Sequence, residues 1–137
     1  MITITTQVRT SAAQVWKCFT DAVHIKAWNF ADPSWHCPAA VNDLNVGGSF
    51  CYTMAARDGS MSFDFKGTYT QVDPEKRIEY DIEDGRKVII SFEATPEHVI
   101  ITESFEPENM NPVELQQQGW QQILNNFAQY AEASADS

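Results

Sequence analysis

The chain has 137 residues, 43% of them apolar and 12% aromatic, enough for the packed core of one domain spanning residues 1–137. Nineteen acidic against nine basic residues leave a formal charge of -10, which repels phosphate backbones and anionic lipid and excludes the basic stripe of a nucleic-acid binder. The start, Met1-Ile2-Thr3-Ile4, has no charged leader region, and nowhere is there an apolar run of about eighteen residues, so a soluble cytoplasmic protein with neither nucleic acid nor membrane as partner is expected.

Ile2, Ile4 and Val8 mark a first strand with interrupted alternation, ended at Thr10-Ser11. Ser11 with Gln14 three residues on forms a capping box, and Val15, Trp16 and Phe19 then give a short amphipathic helix. Thr20-Asp21 breaks the helix and caps a second short one, from Ala22 to Ala27 or Trp28. The segment from Asn29 to Val46, punctuated by prolines, reads as the least regular part.

Gly47-Gly48 serve a bend, and from there the periodicity becomes two. Phe50, Tyr52 and Met54 alternate with smaller or polar residues, and after the Asp58-Gly59 turn so do Met61, Phe63, Phe65, Gly67 and Tyr69. Asp73-Pro74 turns the chain into Ile78, Tyr80 and Ile82, Asp84-Gly85 into Val88, Ile90 and Phe92, and Thr95-Pro96-Glu97 into the run from His98 to Phe105. Five strands joined by short turns make an antiparallel meander, and with the N-terminal strand there are at least six. In the last strand two registers are open: Val99, Ile101, Glu103 and Phe105 inward, or Ile100, Thr102 and Ser104 inward.

Asn111 as cap, Pro112 at the first helical position and Glu114 at the third open a long closing helix. Val113, Trp120, Ile123, Leu124, Phe127 and Tyr130 share its apolar face, while Gln116, Gln118, Gln121, Gln122 and Asn125 fill the other side. To Ala133 it spans roughly 30 Å, and a sheet must curl around it. Gly119 inside it costs about 1 kcal/mol relative to alanine, which close packing by the sheet, in preference to room for a ligand, is expected to offset. The tail from Ala131 to Ser137 is expected to fray.

Strand, two short helices, several antiparallel strands and a long C-terminal helix is the order of the helix-grip fold, an α+β architecture of six or seven strands. Ala13-Gln14-Val15-Trp16, Thr20-Asp21 with Trp28, Asp43-Leu44-Asn45-Val46-Gly47-Gly48-Ser49-Phe50, Asp58-Gly59, Gly67-Thr68-Tyr69 with Val72 and Pro74, and Gln118-Gly119-Trp120 with Ile123-Leu124 carry a further resemblance. Together they resemble the START-like (SRPBCC) superfamily, in the branch named after the C-terminal domain of the activator of the heat-shock-protein-ninety ATPase. Two positions depart from the pattern: Asn29 follows Trp28 where a second aromatic residue is common, and His98 replaces a small hydroxyl residue.

The resemblance implies a cavity between sheet and helix holding a hydrophobic or aromatic small molecule. Trp28, Trp35, Phe50, Tyr52, Phe63, Phe65, Tyr69, Tyr80, Phe92, Trp120 and Leu124 are its candidate lining. The same residues could simply fill a core. A cofactor-free cyclase or hydrolase in that cavity would need an inward carboxyl, and Glu103 is the candidate, with Tyr52 or Tyr80 donating to a substrate carbonyl. The third reading is a chaperone-modulating or other interaction domain acting through the acidic surface, and a homodimer paired through sheet edges is as open as a monomer. His24, His36 and His98 have no second ligand at metal-binding spacing, so neither metal nor cofactor is expected. Cys18, Cys37 and Cys51 form no CxxC pair and read as small buried hydrophobes.

Overall fold

Short polar turns pair each strand after the two short helices with the next, and the computed structural model, which describes residues 1–134, realises those strands as one meander whose last strand also pairs with the first strand of the chain. The elements run β1 (Ile2–Val8), α1 (Ala12–Thr20), α2 (Ala22–Trp28), β2 (Trp35–Asn42), β3 (Ser49–Ala56), β4 (Ser62–Asp73), β5 (Arg77–Ile82), β6 (Lys87–Ala94), β7 (Val99–Phe105) and α3 (Val113–Ser134). The seven strands form a curled antiparallel sheet in the order β1-β7-β6-β5-β4-β3-β2. The helices cover its inner face, with the core between.

Ser11 caps α1 by accepting from the Gln14 amide at 3.2 Å, but the capping box stays half made: the Gln14 side chain turns to Cys18 Sγ at 3.4 Å instead. Asp21 caps α2 through the Val23 amide. The segment expected to be irregular contains β2, paired with β3. Its register shifts between His36 and Ala39, around Pro38, and its burial does not alternate, so a bulged edge strand left no period of two to read.

The register of β7 is decided by its neighbours. Glu103 stands opposite the buried Ile4 of β1 and the buried Ile90 of β6, so Val99, Ile101, Glu103 and Phe105 face inward. Slipping by one residue would bury Thr102 and Ser104 and expose Ile101 and Phe105, both wholly buried.

The start of α3 differs from the expectation. Its first intrahelical acceptor is the Pro112 carbonyl, so the helix begins at Val113, and Val113 is exposed. Asn111 does not cap it; its side-chain amide bonds Glu108. Gln116, placed on the polar side by its spacing, is buried: its amide accepts from the Glu108 amide at 2.9 Å and donates to the carbonyls of Glu108 and Asn111. It ties down a turn whose backbone groups would otherwise lack partners. At the other end Ala131 is fully buried and Glu132 accepts from the Arg9 amide at 2.8 Å, so the helix is held where fraying was expected. Residues 135–137 of that tail lie outside the described residues.

Gly119 corrects a second expectation. A methyl group there would meet nothing within 4 Å, so close packing is not what the glycine serves. Gly119→Ala should therefore raise stability by about 1 kcal/mol in urea unfolding; a loss would show that the position needs glycine. Gly67 is the contrasting case. A Cβ there would lie 2.7 Å from the Phe50 ring and 2.9 Å from the Asp81 carbonyl, so the missing side chain is what lets Phe50 lie flat across β4.

Candidate functional site

Curling the sheet around α3 leaves a gap where the aromatic side chains are too few to close it. The resulting cavity is about 340 Å³, within the range of small-molecule sites. From β3 and β4 come Phe50, Tyr52, Met54, Phe63, Phe65 and Tyr69, from β5 Ile78 and Tyr80, from β6 and β7 Ile90 and Glu103, and from α3 Gln116, Trp120 and Ile123. Phe19, Thr20, Trp28 and Asn29 close one wall, and Arg86 and Glu108 carry the remaining charges of the lining.

Eight of the eleven candidate lining residues therefore meet in one place: Trp28, Phe50, Tyr52, Phe63, Phe65, Tyr69, Tyr80 and Trp120. Three do not. Phe92 points inward but is covered edge-on by Trp16 and Phe19, at ring separations of 5.4 and 5.3 Å. Leu124 is buried in the filled part of the core, and Trp35 lies on the edge strand against Phe63 at 6.0 Å. One part of the space beneath the sheet is thus packed solid and another left open. Phe19, Thr20, Asn29, Met54, Ile78, Arg86, Ile90, Glu108, Gln116 and Ile123 also line the cavity and were not among the candidates. Met54 shares the inward alternation of Phe50 and Tyr52, which was the available signal; polar residues in a turn or on a helix give none.

The wall is held in place by ring contacts and one polar chain. Trp120 stacks on Phe105 at 3.9 Å and 11° and meets Phe65 edge-on at 6.1 Å. Phe50 is surrounded by Tyr52, Phe65, Tyr69 and Tyr80, all within 5.6 Å. The Tyr69 hydroxyl donates to Asn42 Oδ1 at 2.6 Å, and Asn42 donates to the Thr20 carbonyl at 2.7 Å, tying β4 to β2 and α1. Tyr69 has spent its proton, so the 3.5 Å contact with Tyr52 uses the Tyr52 proton at the limit of hydrogen-bond length.

Glu103 is the exception in this apolar setting. Only 8% of it is exposed, and its carboxyl makes no hydrogen bond or ion pair with the described residues. No sealed side-chain oxygen or nitrogen among the described residues lacks a partner, so the carboxyl oxygens must look into the open space of the cavity. Burial without a compensating charge pushes the Glu103 carboxyl up to about 8. At neutral pH it carries its proton. The Tyr80 hydroxyl also has no hydrogen-bond partner among the described residues, and burial, with the Glu103 charge a smaller cause, holds its ionisation well above the ordinary tyrosine value. Tyr52 is raised for the same first reason, and Tyr69 is pushed up to about 12, so all three phenols remain neutral donors.

Among the described residues, no group of three or more His, Cys, Asp or Glu side chains is placed to hold a metal ion. No helix among them is long and apolar enough to cross a membrane. Cys18 and Cys37 are buried and Cys51 half-buried, all with free thiols.

A curled antiparallel sheet gripping a C-terminal helix over a partly open interior defines the helix-grip domain of the START-like superfamily. The family profile described as activator of Hsp90 ATPase homolog 1-like protein matches residues 9–132, and the chain belongs to that family. An AHSA1-like protein from Aeromonas hydrophila has the same fold, with a TM-score of 0.90 and 38% identity over 99% of this chain and 96% of that one. A Cytophaga hutchinsonii protein is 52% identical over 98% and 94% of the two chains, with a TM-score of 0.83. A Nitrosomonas europaea protein shares the fold at 17% identity, with a TM-score of 0.84 over 99% and 96%. No curated protein matches the chain.

Proposed function

We propose that this protein is a binding domain that holds a hydrophobic or aromatic small molecule in the cavity between the sheet and α3. The observation that carries this reading is the cavity of about 340 Å³ itself, walled by aromatic rings on β3, β4, β5 and α3. A site so lined gains by removing apolar surface from water, at about 25 cal/mol per Å², and its few polar groups orient what enters. Each aromatic ring offers a broad face at little entropic cost.

Thermal denaturation against a library of apolar aromatic compounds tests this. A ligand at a hundred times its Kd should stabilise the fold by about 2.7 kcal/mol and raise Tm by several degrees. Trp120→Ala should remove most of that rise, whereas Trp35→Ala, outside the cavity, should leave it intact. Equal rises in wild type and Trp120→Ala would place binding elsewhere.

A second reading has one observation in its favour. Glu103 is a cavity carboxyl titrating near neutrality, as a general acid or base requires, so a cofactor-free cyclase or hydrolase could act in the same space. A chaperone-modulating role draws on the family's name and the acidic surface, and no cavity residue argues for it.

A further inference from the structure

Resting on the ligand-binding reading above, the geometry points to the chemistry of the ligand's polar end. We propose that the cavity selects an apolar molecule bearing a neutral hydrogen-bond acceptor, a ketone, ester or amide carbonyl, and that the Glu103 carboxyl is the group that donates to it. The cavity presents hydrogen-bond donors whose protons the protein does not use. Tyr80 has an unspent hydroxyl, Tyr52 holds a proton in only a 3.5 Å contact, and the carboxyl of Glu103, nine-tenths buried, has no partner among the described residues.

A carbonyl satisfies such a donor without bringing charge into an apolar space. A protonated amine would ionise Glu103 and bury two charges whose desolvation rivals their attraction. A carboxylate would face the same desolvation cost with no cation bonded to Glu103 to offset it. Arg86 does not supply one: its guanidinium is engaged by Asp84 at 2.8 Å and by the Glu106 carbonyl.

The groups around Glu103 let its protonation be varied alone. Ile4 of β1 and Ile90 of β6 flank it and do not titrate. The phenols of Tyr52, Tyr69 and Tyr80 are all displaced upward from the ordinary tyrosine value, the thiol of Cys37 beside Tyr52 is raised by burial, and Arg86 and Glu108 are the other charged side chains of the lining. Of the lining groups, Glu103 is the one that titrates near 8.

The test uses three probes of one shape, acetonaphthone, ethylnaphthalene and naphthylethylamine, in protein-observed NMR titrations at about pH 6 and about pH 9.5, on either side of the Glu103 titration. Wild type should bind the ketone about tenfold more tightly than the hydrocarbon or the amine at the lower pH, as one good hydrogen bond allows, and should lose that preference at the higher. Glu103→Gln keeps an N–H donor and should retain the preference at both pH values. Glu103→Leu should bind ketone and hydrocarbon alike. Hydrocarbon or amine bound as tightly as ketone by wild type at the lower pH overturns the inference and leaves the cavity reading standing. Failure of all three probes to perturb the cavity residues overturns both.

Discussion

Glu103→Gln is expected to make the protein more stable, by about 3 kcal/mol at pH 7 and by almost nothing at pH 4. The folded carboxyl titrates at about 8, against 4.5 in an exposed chain. Between those values the folded state holds a proton that the unfolded state has released, so wild-type stability falls as pH rises from 4.5 towards 8 and levels off above it. Each unit crossed costs about 1.36 kcal/mol. Glutamine has no proton to lose and escapes the fall. Urea unfolding of both proteins from pH 4 to pH 9 checks this: the curves should coincide at the acid end and separate with rising pH. Parallel curves would mean that Glu103 ionises freely in the fold.

Phe127→Ala should cost about 3–5 kcal/mol, against a total stability of roughly 5–15 kcal/mol for such a domain. Phe127 is fully buried, and Phe19 and Trp28 meet its ring edge-on at 5.1 and 4.9 Å. The indole of Trp28 in turn donates to the Cys18 carbonyl at 2.9 Å, so one ring on α3 fixes the two short helices against it. Losing it removes apolar burial, two ring contacts worth about 0.5–1.5 kcal/mol each, and the alignment of Phe19 and Trp28 at the cavity wall. Tm should fall by roughly 10–20 °C, and ligand-induced stabilisation should weaken in the protein that remains folded. A change of only a degree or two would show that α3 is held by its polar ties instead, Gln121 to the Thr5 carbonyl and Asn126 to the Phe30 carbonyl.

The meander was legible because antiparallel strands with one face buried write their geometry into the sequence as strict alternation, and Asp58-Gly59 and Asp84-Gly85 punctuate it. Gly59 and Gly85 both adopt positive φ at those turns. What was illegible has physical causes. The edge strand β2 is bulged around Pro38 and half in water, so it shows no period. The direction of Glu103 depends on which side chains of β1 and β6 stand beside it, a tertiary fact that β7 alone does not contain. Gln116 looks like any surface glutamine until the turn it bonds is folded over it.

The candidate site was legible in composition and less so in extent. Phe92 and Leu124 are apolar and point inward as Tyr80 and Trp120 do, yet Phe92 meets Trp16 and Phe19 and Leu124 the rest of the packed core while the others meet open space. Whether an aromatic ring fills a core or walls a cavity is set by what lies across from it, and pattern within one strand is silent on that.

The central claim, that an apolar molecule resides between the sheet and α3, is tested most directly by native mass spectrometry of the wild-type chain and of Trp120→Ala after incubation with an apolar extract of the protein's own host. Wild type should retain a compound that adds discrete mass to the chain, and Trp120→Ala should lose it. Spectra of wild type and variant that both show the bare chain alone would contradict the account.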